Sequence, residues 1–552
     1  MTDEEPGPFD KILRQEPERR DRRAPFVIGA MIVLGLFLLV LVLPPVSILS
    51  GGGGDGDGGA GEEVKIEAKA RKNMPSLPEG LEAVTPLYDI SVSGEIEGPT
   101  QITLSLPSPL GNARGLSFYT FEDGEWRRIA SVRLALEGAA AQADLAEIPG
   151  NLAVLKSTGA PNELSGWLPA GSQLNAEAAP LLSVLNPVAF APAFDGSLIG
   201  EAPAPPEGEP AYEVQPSVRA STPEETEAVN AIMGSPDLRD AHIDAILEMA
   251  ESGPYGGVDI DYGALDPLRR DEFTEFVAAL AEQLHRRDLA LTLTAPLPIL
   301  QGSEWDTGAY DWQQLAAAAD TVKIRPDPDP SRYYRKMEQA LDFLIKDQKI
   351  PPAKLSLVLS PWAHEKGGEG IRNLSLLEAL SIAGSMKLDR DDGPVAPGGR
   401  VRVLGENICQ EDGASGIHWD EEAAAVSFTY PGLGGARTVW IENSFSFAFR
   451  LNLVSRFHLA GVALEDVSTG PGLGDIWPLL DEFMSTGKAS LAKPNGTMLA
   501  PQWEAEAGEI QDAGDGSITW KAPDEPGTYR VALIVSDGLA RLGQRLSIDV
   551  GE

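Results

Sequence analysis

The spacing of apolar residues changes several times along this chain of 552 residues. In residues 81–158, apolar and polar side chains alternate in short runs such as Gln101–Leu106, and Gly and Pro separate the runs. A period of two with short turns is typical of half-buried strands, so this region predicts a β-sandwich domain. Residues 490–552 show the same pattern, for example in Tyr529–Val535, and predict a second, smaller sandwich.

The middle of the chain, residues 163–485, has a different pattern. Short apolar runs alternate there with segments of helical spacing such as Arg270–Arg287. Strand–helix alternation over this length predicts an α/β (β/α)8 barrel, whose chemistry lies at the C-terminal ends of its strands. An insertion is predicted at about residues 390–445. The eight predicted strands lie at Ser165–Leu168, Leu182–Phe190, Tyr212–Val218, Gly257–Tyr262, Leu289–Ala295, Thr321–Ile324, Leu355–Leu359 and Leu459–Leu464.

The run Phe26–Leu43 is uninterrupted and apolar, long enough to cross a bilayer as a helix. Four arginines between residues 19 and 23 precede it and favour a cytoplasmic N-terminus. A cleaved signal peptide is the alternative, although no small-residue cleavage site follows the run. The sequence thus predicts a single-pass protein of the cell membrane with its bulk outside the cytoplasm. The predicted segments are a cytoplasmic tail (1–24), a transmembrane helix (25–49) and a Gly-rich acidic linker (50–80).

The composition of the chain excludes some classes of function. The chain has 44 Lys and Arg against 83 Asp and Glu, a formal net charge of −39 that would repel phosphate backbones, so we expect no nucleic-acid partner. A single cysteine, Cys409, cannot form an intrachain disulfide or a multi-cysteine metal site, and the chain has only five histidines. The sequence therefore predicts neither a metal site nor a cofactor.

The fourth predicted strand carries the motif with chemical meaning. Its surroundings, Tyr255–Gly263, read YGGVDIDYG and resemble the strand-four signature of glycoside hydrolase family 18, D-G-[IV]-D-[IL]-D-[WYF]-E. The resemblance extends over about 300 residues and implies a barrel of the spore peptidoglycan-hydrolase type. The other segments that resemble this branch are Tyr310–Trp312, Ala319–Val322, Ile417–Asp420, Phe428–Tyr430, Val439–Asn443 and Phe447–Leu464. The C-terminal stretch Trp520–Gly538 resembles bacterial immunoglobulin-like modules.

The resemblance implies a mechanism whose key residue is missing here. Members of the family are expected to hydrolyse β-linked N-acetylhexosamine polymers such as chitin or peptidoglycan, with the motif's final Glu as proton donor. Gly263 stands at that position and has no proton to donate, while Asp259 and Asp261 match the two inner Asp positions. Lys323–Asp327 lacks the family's Met-x-Tyr-Asp pattern on strand six. Glu465 stands after strand eight, where the family commonly has Trp.

Three functions are compatible with these departures. The favoured one is a noncatalytic barrel that binds a glycan, such as peptidoglycan or chitin, or an envelope protein. The second is a hydrolase that recruits another acid, with Glu465, Asp327 or Asp266 as the candidates, although Glu465 is also explained as part of a solvated loop. The third is an envelope scaffold. Asp259 and Asp261 are also explained as structural groups that hydrogen-bond inside the barrel.

Aromatic residues supply the remaining candidates, because their flat faces suit the CH faces of sugar rings. Among them, Trp362 and Tyr262 are favoured, so the predicted substrate-binding set is Asp261, Tyr262, Trp362 and Glu465. Packing inside the protein is the alternative explanation for each aromatic residue. His242, on a predicted helix, is expected to be a packing or surface residue. The other tryptophans considered for sugar stacking are Trp305, Trp312 and Trp419.

Overall fold

A computed structural model gives the architecture of most of the chain. It describes residues 65–78, 81–93, 100–110, 116–122, 124–136, 138–145, 148–157, 163–201, 212–389, 393–410, 413–470 and 476–551. The predicted tail (1–24), the predicted transmembrane helix (25–49) and most of the predicted linker (50–80) lie outside these ranges.

The predicted membrane localisation is contradicted. In the described part of the chain, no helix is long and apolar enough to span a bilayer. The longest described helices have 16 residues and span about 24 Å, against about 30 Å for a hydrocarbon core. The apolar run 26–43, on which the localisation was based, lies outside the described residues.

The first folded unit is a sandwich of two antiparallel sheets. The larger sheet has the order β1-β3-β9-β5-β6, with β2 paired to β9, and the smaller has the order β4-β8-β7. Side chains from both sheets, including Ile102, Phe118 and Val154, share one core. The bounds are β1 Lys65–Ala70, β2 Leu81–Ala83, β3 Tyr88–Ser93, β4 Thr100–Ser105, β5 Leu116–Glu122, β6 Glu125–Ser131, β7 Arg133–Ala135, β8 Ala140–Leu145 and β9 Asn151–Ser157.

The middle of the chain folds as a closed barrel of eight parallel strands, which confirms the predicted barrel. Its first strand pairs with both the second and the eighth, and these two pairings close the ring. The barrel strands are β10 Glu163–Leu168, β11 Val184–Pro192, β14 Ser217–Arg219, β15 Gly257–Asp261, β16 Ala290–Pro296, β19 Thr321–Arg325, β20 Leu355–Leu359 and β28 Gly461–Leu464. Short strands between them are β12 Leu198–Gly200, β13 Glu213–Val214, β17 Ile299–Gln301 and β18 Glu304–Asp306.

The helices around the barrel begin at recognisable capping residues. Thr222 and Glu225 form a capping box at the start of the first helix, with Pro223 in its first turn. The third helix buries Phe273, Phe276 and Leu280 at helical spacing against the barrel wall, as the periodicity predicts. The helices are α1 Pro223–Met233, α2 Pro236–Glu251, α3 Arg270–His285, α4 Trp312–Ala318, α5 Tyr333–Asp342, α6 Leu376–Ala383, α7 Ser444–Phe457, α8 Ile476–Thr486 and α9 Gly496–Leu499.

A β-rich insertion separates the seventh and eighth barrel strands. Five of its strands form an antiparallel sheet of order β22-β21-β27-β26-β25. The buried carboxylate of Glu365 in β21 accepts hydrogen bonds from Arg372, Arg437 and Tyr430, so it connects β21 to three other strands of this sheet. The insertion strands are β21 Ala363–Gly367, β22 Gly370–Leu374, β23 Met386–Leu388, β24 Arg400–Gly405, β25 His418–Asp420, β26 Ala425–Gly432 and β27 Gly435–Ile441.

The C-terminal strands combine with two strands of that insertion. One sheet has the order β29-β32-β33, and the other has the order β23-β24-β31-β30. Val401 and Val403 from β24 therefore share a core with Ile518 and Trp520. The C-terminal strands are β29 Gln502–Ala505, β30 Glu509–Asp512, β31 Ser517–Lys521, β32 Gly527–Ser536 and β33 Arg541–Val550.

A buried polar contact joins this C-terminal module to the barrel. Asn443 caps α7 with its side-chain oxygen and donates from Nδ2 to Asp537 Oδ2 at 3.0 Å. Asp537 is fully buried, and its other oxygen accepts from the backbone N–H groups of Leu539 and Ala540. Because one carboxylate serves the turn of the module and the helix of the barrel, the two units pack in a fixed relationship.

Candidate functional site

The fourth barrel strand, β15, sends alternate side chains into the barrel and out of it. Asp259 and Asp261 point inward, whereas Ile260 and Tyr262 pack in the layer between strands and helices. The two inward carboxylates lie at different heights. Asp259 is in the middle of the barrel, and Asp261 is one layer closer to the C-terminal mouth.

Asp259 is completely buried, and both of its carboxylate oxygens have hydrogen-bond donors. Its Oδ2 accepts from Trp167 Nε1 and Ser217 Oγ, each at 2.7 Å, and its Oδ1 accepts from Thr292 Oγ1 and Lys323 Nζ, each at 2.8 Å. Burial alone would raise the pKa of Asp259, but the Lys323 ammonium and these hydrogen bonds hold that pKa below its usual value. The carboxylate is ionised and has no atom left for a ligand.

Lys323 makes the barrel centre electrically neutral. Its ammonium is fully buried, donates to Asn186 Oδ1 at 2.7 Å as well as to Asp259, and lies 4.6 Å from the ring centroid of Trp167. The guanidinium carbons of Arg219 and Arg325 lie 5.0 and 5.5 Å from the same centroid. Three cations therefore surround one indole. The electron-rich faces of the ring attract cations, and the attraction is stronger when the cations are poorly hydrated.

Asp261 forms the next layer with two arginines. Its Oδ2 lies 2.7 Å from Arg219 Nε and 2.6 Å from Arg325 Nη2. Arg325 Nη1 donates to Glu465 Oε1 at 2.8 Å, so one guanidinium bridges two carboxylates at the mouth. The side chain of Asp261 is only 3% exposed, against 18% for Arg219, 26% for Arg325 and 30% for Glu465. The arginines and Glu465, rather than Asp261, face the solvent.

Gly263, where β15 runs into the mouth, borders open space. A Cβ atom placed there would have no heavy atom within 4 Å, apart from its chain neighbours. By contrast, a Cβ at Gly257 in the same motif would lie 2.3 Å from the carbonyl oxygen of Ala290. The glycine at 263 is thus not required by packing, and the mouth has room above it.

A cavity of about 230 Å³ opens beside this mouth. It lies between the loops after the sixth and seventh strands, the start of α7 and the end of the eighth strand, and it shares Arg325 and Glu465 with the mouth. Its lining combines proline, tyrosine and isoleucine surfaces with hydroxyl, amide, imidazole and charged groups. At its edge the guanidinium of Arg450 forms a buried two-point ion pair with Glu442 and lies 3.9 Å from the ring centroid of Tyr333.

Comparison with known proteins gives one significant relative by sequence. No protein-family model matches the chain. The chain is 25% identical over 148 residues to a protein of Bacillus subtilis named as a sporulation-specific glycosylase, YdhD. The match covers 25% of this chain and 34% of that protein, so the chain spans about a third of the relative's length.

Solved structures with similar folds include a chitinase from Chromobacterium violaceum and the spore cortex-lytic enzyme SleL from Bacillus megaterium. The chitinase is 18% identical with a TM-score of 0.45, and the match covers 59% of this chain and 99% of the chitinase. SleL is 17% identical with a TM-score of 0.45, and the match covers 61% of this chain and 77% of SleL.

The barrel is glycoside hydrolase family 18-like. The motif that predicts this similarity lies on the fourth strand of a closed parallel barrel, at the strand position that the resemblance implies.

The family 18-like barrel places Tyr262 away from its mouth. Tyr262 is 1% exposed, its ring packs beside Phe276, and its hydroxyl lies 2.5 Å from His242 Nε2. The Nδ1 of His242 lies 2.8 Å from the carbonyl oxygen of Gly196, which can only accept, so Nδ1 carries the proton and Nε2 accepts from Tyr262. Burial lowers the pKa of His242 to about 4. Tyr262 has no surface to offer a sugar, and we do not retain it as a binding residue.

The other predicted aromatics differ in their surroundings. Trp362 is half-buried after the seventh strand, next to Gly470 in the loop after the eighth, and does not line the cavity. Trp305 stacks on Phe343 with ring centroids 4.5 Å apart. The other two tryptophans also pack within the protein, with Trp312 buried and Trp419 against Phe449.

The alternative acids are already engaged. Asp327 lines the cavity, and its Oδ2 accepts from Lys336 Nζ at 2.8 Å. Asp266 accepts from the backbone N–H of Leu268 at 2.9 Å and caps a short turn. Within the described chain there is no cluster of three or more His, Cys, Asp or Glu side chains suited to a metal ion.

Sequence reasoning missed the basic residues that complete the site. Arg219 ends the third strand, and Lys323 and Arg325 occupy alternate positions of the sixth. The signal was present, because Lys-x-Arg on one buried strand matches Asp-x-Asp on another in spacing. A basic residue in a buried strand needs a carboxylate partner, and the motif supplies Asp259 for Lys323 and Asp261 for Arg325.

Proposed function

We propose that this protein binds an N-acetylhexosamine polymer, such as peptidoglycan or chitin, at the mouth of its barrel without cleaving it. The observation that carries the proposal is the open space at Gly263, where the family motif has its proton donor. Glycoside hydrolysis of this type requires an acid at the glycosidic oxygen, and a glycine provides none.

No neighbouring carboxylate stands in for that acid. Asp261 is held by two guanidiniums, Glu465 by Arg325 and Asp327 by Lys336, each at 2.8 Å or less. None of these carboxylates has an atom within 4 Å of the Cβ position at Gly263. A hydrolase that uses a substitute acid would have to break one of these ion pairs first.

The surroundings of the mouth suit a polyhydroxylated ligand. Ser360, His364 and Asn373 line the cavity with hydroxyl, imidazole and amide groups, beside the apolar surfaces of Pro328 and Ile371. Sugars present the same combination of hydroxyl groups and CH faces. The sequence relative, named as a glycosylase, supports a glycan rather than an envelope protein as the first partner to test.

A binding and turnover experiment on the full-length protein tests the proposal. We expect chitotetraose or soluble peptidoglycan fragments to give a binding isotherm by calorimetry, with no reducing ends released over many hours. Sustained release that Glu465→Gln abolishes would establish the hydrolase alternative instead. Absence of any glycan binding, together with a protein cross-linked at the mouth, would establish the scaffold alternative.

A further inference from the structure

Arg219 is the one charged group of the mouth whose hydrogen bonds are not made. Its Nε lies 2.7 Å from Asp261 Oδ2 but out of line for a hydrogen bond. Nε and Nη2 are both buried and have no hydrogen-bond acceptor in the described chain. A buried donor without an acceptor costs about 1–3 kcal/mol, so such groups in a native protein usually mark a site that something else completes.

Arg219 is also fixed in place. It pairs in register with Asp261 on the neighbouring strand, and its guanidinium lies 5.0 Å from the ring centroid of the fully buried Trp167. The side chain is 18% exposed, so part of it faces the mouth. A guanidinium held in this way can form a charge-assisted hydrogen bond with a carboxylate that reaches its exposed part.

The mouth has space for a carboxylate from solution, which can take the place of one that is already there. Arg219 and Arg325 carry two positive charges, and Asp261 and Glu465 compensate them. Of these two acids, Glu465 is on the solvent side and 30% exposed, so an anion from solution can replace it on Arg325. The position that the family motif fills with a carboxylate, Gly263, is open.

We propose that the mouth selects glycans that carry a carboxylate over neutral ones, with Arg219 as the residue that recognises the carboxylate and Glu465 as an internal competitor for Arg325. This inference rests on the proposed glycan-binding function and names the substrate class. The carboxylate can belong to a lactyl ether on the sugar or to a uronic acid, since both present the same planar anion.

The test compares carboxylated ligands with neutral ones, and in the first pair the two ligands differ only in that charge. Calorimetry on the full-length protein, at about 150 mM salt to screen the net charge of −39, would use N-acetylglucosaminyl-N-acetylmuramic acid and its carboxamide. Hyaluronan tetrasaccharide and neutral chitotetraose form a second pair that tests the uronate source. We expect the acid to bind at least about tenfold more tightly than the carboxamide, which is the effect of one charge-assisted contact.

Single-residue variants test which residues recognise the carboxylate. Arg219→Gln is expected to bring the ratio of acid to carboxamide affinity close to one, and Glu465→Gln to raise that ratio several-fold, since it frees Arg325. Arg286→Gln, which makes the same charge change at an exposed position after α3, is the matched control and should leave the ratio unchanged. If Arg219→Gln does not fold, Glu465→Gln still decides the question.

The outcomes separate the two proposals. Equal or weaker binding of both carboxylated ligands than of their neutral partners overturns the inference, while the proposed function stands. No binding of any of the four ligands overturns both. A preference confined to one pair identifies the source of the carboxylate. A preference that is unchanged in both Arg219→Gln and Glu465→Gln would show that these two residues do not have the roles assigned to them.

Discussion

Arg325 Nη2 donates to Asp261 Oδ2 across 2.6 Å, from the sixth strand of the barrel to the fourth. The carboxylate that the family motif keeps next to its missing acid is therefore part of a structural ion pair. Burial would lower the pKa of Arg325, but the carboxylates of Asp261, Glu465 and Asp259 raise it above its usual value. The guanidinium of Arg325 therefore stays charged at any pH used to study the protein.

Removal of this guanidinium should destabilise the protein. We expect Arg325→Met to lower the free energy of unfolding by about 2–3 kcal/mol, less than the ~3–5 kcal/mol of a fully buried pair because Arg325 is 26% exposed. Urea denaturation measures this loss. Lys346→Met, in an exposed pair with Asp342, is the control and should cost less than about 0.5 kcal/mol.

Gly263 should accept a larger side chain without loss of stability. Since a Cβ there meets nothing within 4 Å, we expect the free energy of unfolding of Gly263→Glu to lie within about 1 kcal/mol of the wild-type value. Gly257→Ala is the contrasting glycine, and its Cβ, 2.3 Å from the Ala290 oxygen, should prevent normal folding. Equal tolerance at both positions in thermal unfolding would contradict the open space at 263.

The Gly263→Glu variant also tests whether the proton donor is the only catalytic group that the site lacks. We expect Gly263→Glu to release no reducing ends from chitotetraose, because Asp261 stays paired with Arg219 and Arg325 and cannot orient an acetamido group. Gly263→Gln, of equal shape, is the control. Turnover by the Glu variant and not by the Gln variant would show that the arginines do not restrain Asp261.

The buried His242 should make stability fall in mild acid. Its pKa of about 4 in the fold lies below the usual 6.5, so the unfolded chain takes up the proton first. Stability is therefore complete above pH 6.5 and declines as the pH falls towards 4, by roughly 3 kcal/mol at 1.36 kcal/mol per pKa unit. Urea unfolding from pH 7.5 to 4.5 should show a shallower decline for His242→Phe, and parallel curves would refute the assignment.

The C-terminal module should not fold by itself. Residues 490–552 lack β23 and β24, which supply half of one sheet and bury Val401 and Val403 against Trp520. We expect this fragment to show no cooperative thermal transition by circular dichroism. A fragment that joins residues 386–405 to 498–552 by a Gly/Ser linker should show one. A cooperative transition of the shorter fragment would mean that the donated strands are dispensable.

Patterns that repeat along the chain were sufficient to predict the barrel. All eight predicted barrel strands overlap the observed ones, because each is a buried apolar run between helices. The motif at Tyr255–Gly263 likewise placed Asp259 and Asp261 on one face, since alternation in a strand is fixed.

The pairing of side chains from distant strands could not be predicted in the same way. Arg325 meets Asp261 across 64 residues, and Lys323 meets Asn186 across 137, contacts that only the closed ring defines. The position of Tyr262 could not be predicted for a related reason. Its position next to Gly263 suggested the mouth, but the alternation of the strand turns its ring towards His242 and the helices. The apolar run at 26–43 predicted a location that the described helices do not support.

The pairing of β24 with the C-terminal module also has a consequence for folding during synthesis. Arg402 and Ser517, which hydrogen-bond across the β24–β31 pair, are 115 residues apart in the chain. At about 5–20 residues per second, a ribosome needs roughly 6–23 s between them. Throughout that interval β24 can pair only with β23, and the edge of β24 that β31 later covers is open to pairing with a strand of another copy.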